Sequence, residues 1–358
     1  MPRLKTGSAM VTVRDISRES GFSVGTVSIV LNDAPLARYI SDKTKVHIKT
    51  VAQRLGYSPN QFARSLRGSR SRTIGVMVLD VTDPFCTLLL RGIESTLYKE
   101  SYLSIFADAH NELGRFERYL EMMLERRVEG LIVIANWMVV DINLLADLEK
   151  HSIPTVIVAR ELQPDTISSV IVDNEDGARK AIEHLHELGH REIAFIRGPK
   201  AVGDSQLRWN GVRAFARSAK LSLDPKLVME IPNIADPNHG FDTAQKLTEE
   251  LLKRNHRFTA LMAYDDVTAL GAMRALAKAG VKVPEQCSVI GFDDVALAAF
   301  STPPLTTVRQ PMESMGSAAV DIIAEAIKAK LEKRDFSILH RRLTPELVVR
   351  QSTRRPVD

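Results

Sequence analysis

Aspartates and arginines recur at the ends of short apolar runs in this chain. Asp80 and Asp83 follow IGVMVL, with Phe85 two residues on. Arg160 ends TVIVAR, Asp173 and Asn174 end SVIVDN, Asp265 and Asp266 end TALMAYDD, and Asp293 and Asp294 end CSVIGFDD. Arg208 stands near the start of the helix-like stretch SQLRWNGVRAF (205–215). Carboxylates and a guanidinium fork grip a polyol or a ring by paired hydrogen bonds, and an aromatic face such as Phe85 covers the apolar side. The same carboxylates are ordinary caps for helices that follow strands, so for each Asp the capping role stands beside the ligand role. Catalysis is the weaker reading. The chain has no phosphate-loop lysine motif, no Gly-x-Ser-x-Gly turn and no Gly-x-Gly-x-x-Gly after a strand, so no enzyme is expected. His184, His186 and His190 in EHLHELGH have two members at i, i+4, but zinc would need a further ligand or water. No metal and no cofactor are expected.

A second constellation lies at the other end of the chain, in TVRDISRESGFSVGTVSIVLN (12–32). Thr12 and Asp15 have the spacing of a reciprocal helix cap. Gly21 suits a left-handed helix end, and Ser23 caps a second helix. Val27, Val30 and Leu31 then face inward, which leaves Val24, Gly25, Thr26 and Ile29 outside. A helix presented this way enters a major groove and reads base edges. Two helices of an ordinary bundle are the alternative.

Charge separates those readings. Residues 1–72 hold thirteen Lys/Arg against four Asp/Glu, a net +9, whereas the whole chain is +4 and the remainder therefore near −5. A basic module on a mildly acidic body is the footprint of phosphate contact. Ser41 begins a third helix with Ile48, Val51, Ala52 and Leu55 on one face, and Gly56 ends it. After Tyr57-Ser58-Pro59 comes Asn60–Arg67, about two helical turns and too short to be stable alone. There Ala63 and Leu66 share a face beside Arg64 and Arg67, an apolar wedge suited to a kinked minor groove. A flexible linker is the other reading of this segment.

The elements that must carry the strand-end groups follow from period. From Thr73 onward, short β-branched runs alternate with helix-period segments, at 74–81, 103–108, 130–136, 155–160, 169–174, 192–198, 259–266 and 287–294. That alternation implies parallel sheets covered on both faces. About 285 residues exceed one core, so two lobes are expected, with ligands at the carboxyl ends of their strands. Two cysteines, Cys86 and Cys287, form no disulfide framework and fit a reducing compartment. The N-terminus lacks a continuous apolar signal core, and the most apolar run, 131–140, is interrupted by Asn136, so no membrane span is expected.

The segments VTVRDISRESGFSVGTVSIVLN (11–32), LGYSPNQFARSLRG (55–68), SRTIGVMVLDVTDPF (71–85), GHREIAFIRGP (189–199), SVIGFDDVALAAFSTPPLTTVRQP (288–311) and LVVRQST (347–353) carry a resemblance that spans nearly the whole chain. It resembles the lactose repressor/galactose repressor family of bacterial transcription regulators. The resemblance implies a three-helix helix-turn-helix head at 1–58, a hinge helix and linker at 59–72, and a two-lobed effector-binding and dimerisation domain at 73–358. Those lobes would be Rossmann-like, as in type I periplasmic binding proteins, and joined by crossing strands. One lobe would span about 73–170 plus a helix returning near 311–330, the other about 171–300 plus the C-terminal strand. DNA contacts are implied at Thr12, Ser23, Val24, Gly25, Thr26, Ser28, Ile29, Asn32, Tyr57, Asn60, Ala63, Arg64 and Leu66. Effector contacts are implied at Phe85, Arg160, Asp173, Arg208, Asp265 and Asp293.

The expected function is sequence-specific regulation of transcription, most simply repression, by a cytoplasmic homodimer on a near-palindromic operator. A small-molecule effector, a sugar or sugar derivative, would bind between the lobes. An exported solute-binding protein of the same two-lobed fold is disfavoured by the basic head. Departures from the family pattern bear on the ligands. Ile29 stands where relatives often carry Arg, and DAPLARYIS (33–41) appears three residues longer. Asp265 replaces a usual Asn, Ala159 a frequent Asp, and IPNIADPNHGF (231–241) lacks an aromatic before HGF.

Overall fold

The computed structural model describes residues 11–32, 34–57, 70–135, 153–160, 167–232, 240–254 and 256–356. The chain divides into two compact units, Met1–Ser71 and Arg72–Asp358. The first unit holds α1 (Val13–Ser20), α2 (Val24–Leu31), a 3₁₀ turn (Pro35–Tyr39) and α3 (Asp42–Arg54). Each helix start is fixed locally. Thr12 and Asp15 form the reciprocal cap of α1, Ser23 accepts from the Thr26 amide, and Ser41 accepts from the Thr44 amide. Gly21 ends α1 at φ 74, a left-handed conformation that costs glycine little. Ile16, Val27, Val30, Ile48, Val51 and Ala52 bury together as the small core.

The second unit contains two six-stranded sheets. The first is built from β1 (Thr73–Val78), β2 (Leu103–Asp108), β3 (Gly130–Ile134), β4 (Thr155–Val158) and β5 (Ser168–Val172), flanked by α4 (Pro84–Lys99) and α5 (Leu113–Glu125). The second lobe follows with α6 (Asn174–Glu187), β6 (Ile193–Arg197), α7 (Gly203–Ser218), β7 (Val228–Glu230), α8 (Gly240–Lys253), β8 (Ala260–Ala263), α9 (Asp266–Lys278), β9 (Ser288–Asp293), α10 (Ala296–Phe300) and β10 (Thr306–Arg309). The chain then returns to the first lobe as α11 (Met312–Glu332) and β11 (His340–Leu343) before ending in the second with β12 (Glu346–Val348).

Spatial orders are β11-β5-β4-β3-β1-β2 and β12-β10-β9-β8-β6-β7, parallel throughout except for β12 against β10. The inner strands are buried on both faces, as parallel sheets covered by helices require. The chain crosses between sheets three times, at β5 to α6, β10 to α11 and β11 to β12. The first lobe thus keeps β5 through Val172, slightly beyond the expected boundary, and the C-terminal segment supplies a strand to each lobe. The short edge strands β7 and β11 carry too few apolar residues for period to reveal them.

No helix among the described residues is long and apolar enough to cross a membrane. His190 sits buried, between Thr259 Oγ1 at 2.8 Å and the Arg354 carbonyl at 2.9 Å, while His184 Nε2 meets Thr353 Oγ1 at 2.9 Å. These histidines tie the C-terminal segment to the second lobe, and no metal-holding cluster occurs among the described residues.

Candidate functional site

Parallel strands in one lobe deliver their carboxyl ends to one edge. In the second lobe those ends carry Tyr264 and Asp265 after β8 and Asp293 at the end of β9. Opposite them, Asp83 and Phe85 open α4 of the first lobe. Together with Asp204, Arg208, Val267, Val295 and Gln310 these residues line one cleft between the lobes. The space enclosed is about 20 Å³, room for little more than one water, which needs about 10–15 Å³ of such space. The cleft is closed down on its own side chains.

Arg208 is its centre. Nε donates to Asn174 Oδ1 at 2.8 Å and Nη1 to the Tyr264 carbonyl at 2.6 Å. The contact from Nη2 to Asp293 Oδ1 is long, 3.5 Å, and Asp293 is held better by Gln310 Nε2 at 2.6 Å. The guanidinium lies over Phe292 at 3.7 Å and Tyr264 at 4.6 Å. Of five N–H donors, two therefore remain for a ligand. Burial opposes the guanidinium charge, but Tyr264, Asp293, Asp204 and Asp265 outweigh it and hold the pKa above the usual arginine value.

The surrounding acids shift the other way. Burial pushes the Asp293 carboxyl well above the ordinary range, with Arg208 opposing and Asp265 and Asp266 adding to the rise. Burial likewise raises Asp265, although the Thr268 hydrogen bonds work against it. Beneath them Asp266 is fully buried and pushed up to about 8, chiefly by burial, against the bonds it accepts from Thr307 and the Val295 amide. Asp293 and Asp294 take φ values of 114 and 59, a left-handed pair that costs about 1–3 kcal/mol per residue. Gln310 on Asp293, and Asp266 on the Val295 amide at 2.9 Å, brace that turn.

Each expected effector residue has a definite place. Phe85, Arg208, Asp265 and Asp293 converge on the cleft. Asp265 also caps α9, accepting from the Thr268 amide at 2.7 Å. Asp173 caps α6 through the Asp176 amide at 3.0 Å and is absent from the cleft lining. Arg160 is outside the lining too, but Asp204, which does line it, supports its charge against the stronger effect of burial. Sequence reading missed Asp204, Tyr264 and Gln310. Tyr264 directly precedes an expected residue, whereas Gln310 reaches Asp293 only through the pairing of β10 with β9.

In the head, Val24 is 46% exposed and Gly25 is exposed, while Thr26, Ser28 and Ile29 are half-buried. Asn32 Nδ2 donates to the Ser28 carbonyl at 2.8 Å, which continues the outward row of Val24 and Ser28. The Thr12 and Ser23 hydroxyls are engaged in caps, and Tyr57 packs against the small core. Asn60, Ala63, Arg64 and Leu66, with the expected hinge helix, lie outside the described residues. Among the described residues, Arg18, Lys45 and Arg54 pair with acids. Arg14, Arg38, Lys43 and Lys49 form no ion pair among the described residues.

Comparison with known proteins matches both the head and the two-lobed body. Residues 12–60 match the family model of bacterial regulatory proteins, lacI family, and residues 182–353 match the periplasmic binding protein-like domain. The HTH-type transcriptional repressor PurR of Aliivibrio salmonicida (strain LFI1238) is 32% identical over 348 residues, 96% of this chain and 99% of that protein. PurR of Aliivibrio fischeri (strain MJ11) is 33% identical over 349 residues, 96% of this chain and 98% of that one. The lac repressor dimer bound to operator and the anti-inducer ONPF superposes with a TM-score of 0.82 at 26% identity, covering 97% of this chain and 100% of that chain. The transcriptional regulator CelR-cellobiose complex gives 0.70 at 27%, covering 96% and 99%. With a reading head, two parallel-sheet lobes and repressors rather than enzymes as relatives, this chain belongs to the lacI family of bacterial regulatory proteins and is a DNA-binding transcriptional repressor of that family.

Proposed function

We propose that this repressor is switched by an uncharged, hydroxyl-rich ring, a sugar or sugar derivative, held between the lobes by Phe85, Arg208, Asp265 and Asp293. The observation that carries this reading is the polar lining of the cleft. Four carboxyl groups, those of Asp83, Asp204, Asp265 and Asp293, surround one guanidinium. Ligand hydroxyls can donate to these groups and accept from the Arg208 guanidinium, a pattern that a neutral polyol supplies and a phosphate or carboxylate, with acceptors only, does not. The cellobiose complex among the structural neighbours supports the same class. A flat nitrogen heterocycle is the second reading. The relatives named PurR are closer in sequence than the sugar-bound neighbour, and the Phe85 ring is suited to stacking.

Ligand pockets of drug size run to about 300–1,000 Å³, so admission requires the lobes to part. An effector that favours one lobe arrangement then changes operator affinity, a coupling of about 1–3 kcal/mol. We further propose a division into 1–58, 59–72 and 73–358, action as a cytoplasmic homodimer on a near-palindromic operator, and the head and hinge residues named above as DNA contacts. In this scheme Arg160 tunes the cleft through Asp204, and Asp173 acts at the β5–α6 crossing.

The test is a thermal-shift panel on the full chain with neutral mono- and disaccharides, phosphorylated sugars and purine bases, followed by an operator shift assay. The reading expects a neutral sugar to stabilise the protein and alter operator binding. Stabilisation by phosphorylated sugars or bases alone would contradict it.

A further inference from the structure

We propose that the second lobe holds a further small-molecule site, for an α-amino acid with an apolar side chain, at the end of its sheet remote from the cleft. Strands β6, β8 and β9 begin at Ile193, Ala260 and Ser288. The residues that lead into them, with the C-terminal segment, enclose a cavity of about 390 Å³. That volume lies within the roughly 300–1,000 Å³ of small-molecule sites. Tyr264, Asp265 and Asp293 stand at or just after the far ends of β8 and β9. The two sites therefore share strands but no lining residue.

The walls of this cavity are apolar. Leu252, Phe258 and Val281 pack there against the second lobe's core, and Leu276 and Cys287 are buried in it. His190 is buried in the lining with both ring nitrogens engaged, one by Thr259 Oγ1 and the other by Ser288 Oγ and the Arg354 carbonyl, so it shapes the cavity rather than binding. Arg257 and Glu285 border the same cavity, both exposed. Among the described residues neither forms an ion pair or a hydrogen bond. Opposite charges that border one space without pairing fit a ligand that carries both. Gln286 accepts from the Lys282 amide at 2.8 Å through Oε1, which leaves its own amide N–H groups to donate. The guanidinium and these N–H groups suit a carboxylate, Glu285 suits an ammonium, and the walls suit an apolar side chain. A plain carboxylate would leave Glu285 opposed, and a plain amine would leave Arg257 opposed.

The experiment is a calorimetric titration of the full-length chain with L-leucine, L-phenylalanine, glycine, phenylpropanoate and phenylethylamine. L-leucine or L-phenylalanine should bind at one site per chain. Glycine, the acid and the amine should each bind at least tenfold more weakly. Arg257→Gln and Glu285→Gln should each weaken amino-acid binding at least tenfold, with circular dichroism to check that both variants fold. Amide hydrogen exchange gives a second reading in the unaltered protein, where the ligand should slow exchange over residues 285–287. No binding of either amino acid at millimolar concentration would overturn the proposal. Binding that survives both substitutions, or equal binding of phenylpropanoate, would overturn it too. So would protection confined to residues 264–266, which would place the ligand in the cleft.

Discussion

Arg208 joins the proposed recognition of the effector to the folding of the cleft in one side chain. Its planar fork reaches Asn174, the Tyr264 carbonyl and Asp293 from different N–H groups, which a lysine ammonium cannot reproduce. Each charged hydrogen bond lost to a ligand costs about 1.5–3 kcal/mol, so Arg208→Ala should weaken effector binding at least tenfold in a calorimetric titration. It should also lower the melting temperature of the body, because buried acceptors lose their donor. Operator binding without effector should persist, since the reading head is a separate unit, and its loss would make Arg208 purely structural. Asp266 gives a second prediction. Its folded pKa of about 8 lies above the ordinary aspartate value of 3.8, so between those values the native state holds a proton that the unfolded chain has released. The resulting stability is complete below about pH 4 and is lost as pH rises through about 8, by at most about 1.4 kcal/mol per unit. Asp266→Asn mimics the protonated side chain toward Thr307 and the Val295 amide, and should flatten this part of the pH dependence of denaturant unfolding. An equal slope in both proteins would show Asp266 ionised in the fold.

Elements show why some features were legible in the sequence and others were not. Thr12, Ser23, Ser41 and Gly21 act within three or four residues, so spacing revealed the head. Strand-end groups such as Asp265 and Asp293 were visible because buried parallel strands have compact apolar runs. Gln310 and Asp204 were not, since each acquires its partner from a distant part of the chain. The choice between cap and ligand for Asp173 also needed coordinates. Ile29 on α2 can touch a thymine methyl but cannot make the bidentate guanine contact of an arginine. Ile29→Arg should therefore change one symmetric position in the motif recovered by binding-site selection, whereas identical motifs would mean that the residue faces away from bases. In the body, α4 and α11 meet through glycines: a Cβ on Gly92 would stand 2.1 Å from the Glu313 carbonyl oxygen. Gly92→Ala must force the helices apart, and overpacking of this kind costs about 1–3 kcal/mol in a denaturant melt.

At the scale of the whole molecule, charge and fold divide the work. In the proposed function the basic head supplies phosphate affinity, and the cleft between the two lobes takes the effector. Three crossings link the sheets, with Asp173 at the first and Gln310 at the second, so a change in lobe arrangement acts on segments that also position the site. The central claim is sequence-specific DNA binding driven by the head. The direct measurement is a salt titration of the full chain on a selected operator and on a scrambled duplex of equal length. Contact with about 6–10 phosphates predicts a log–log slope of about −5 to −9 on the operator. At physiological salt the operator should also be preferred by at least about 10³-fold. Equal affinity for both duplexes, or a slope near zero, would contradict the account.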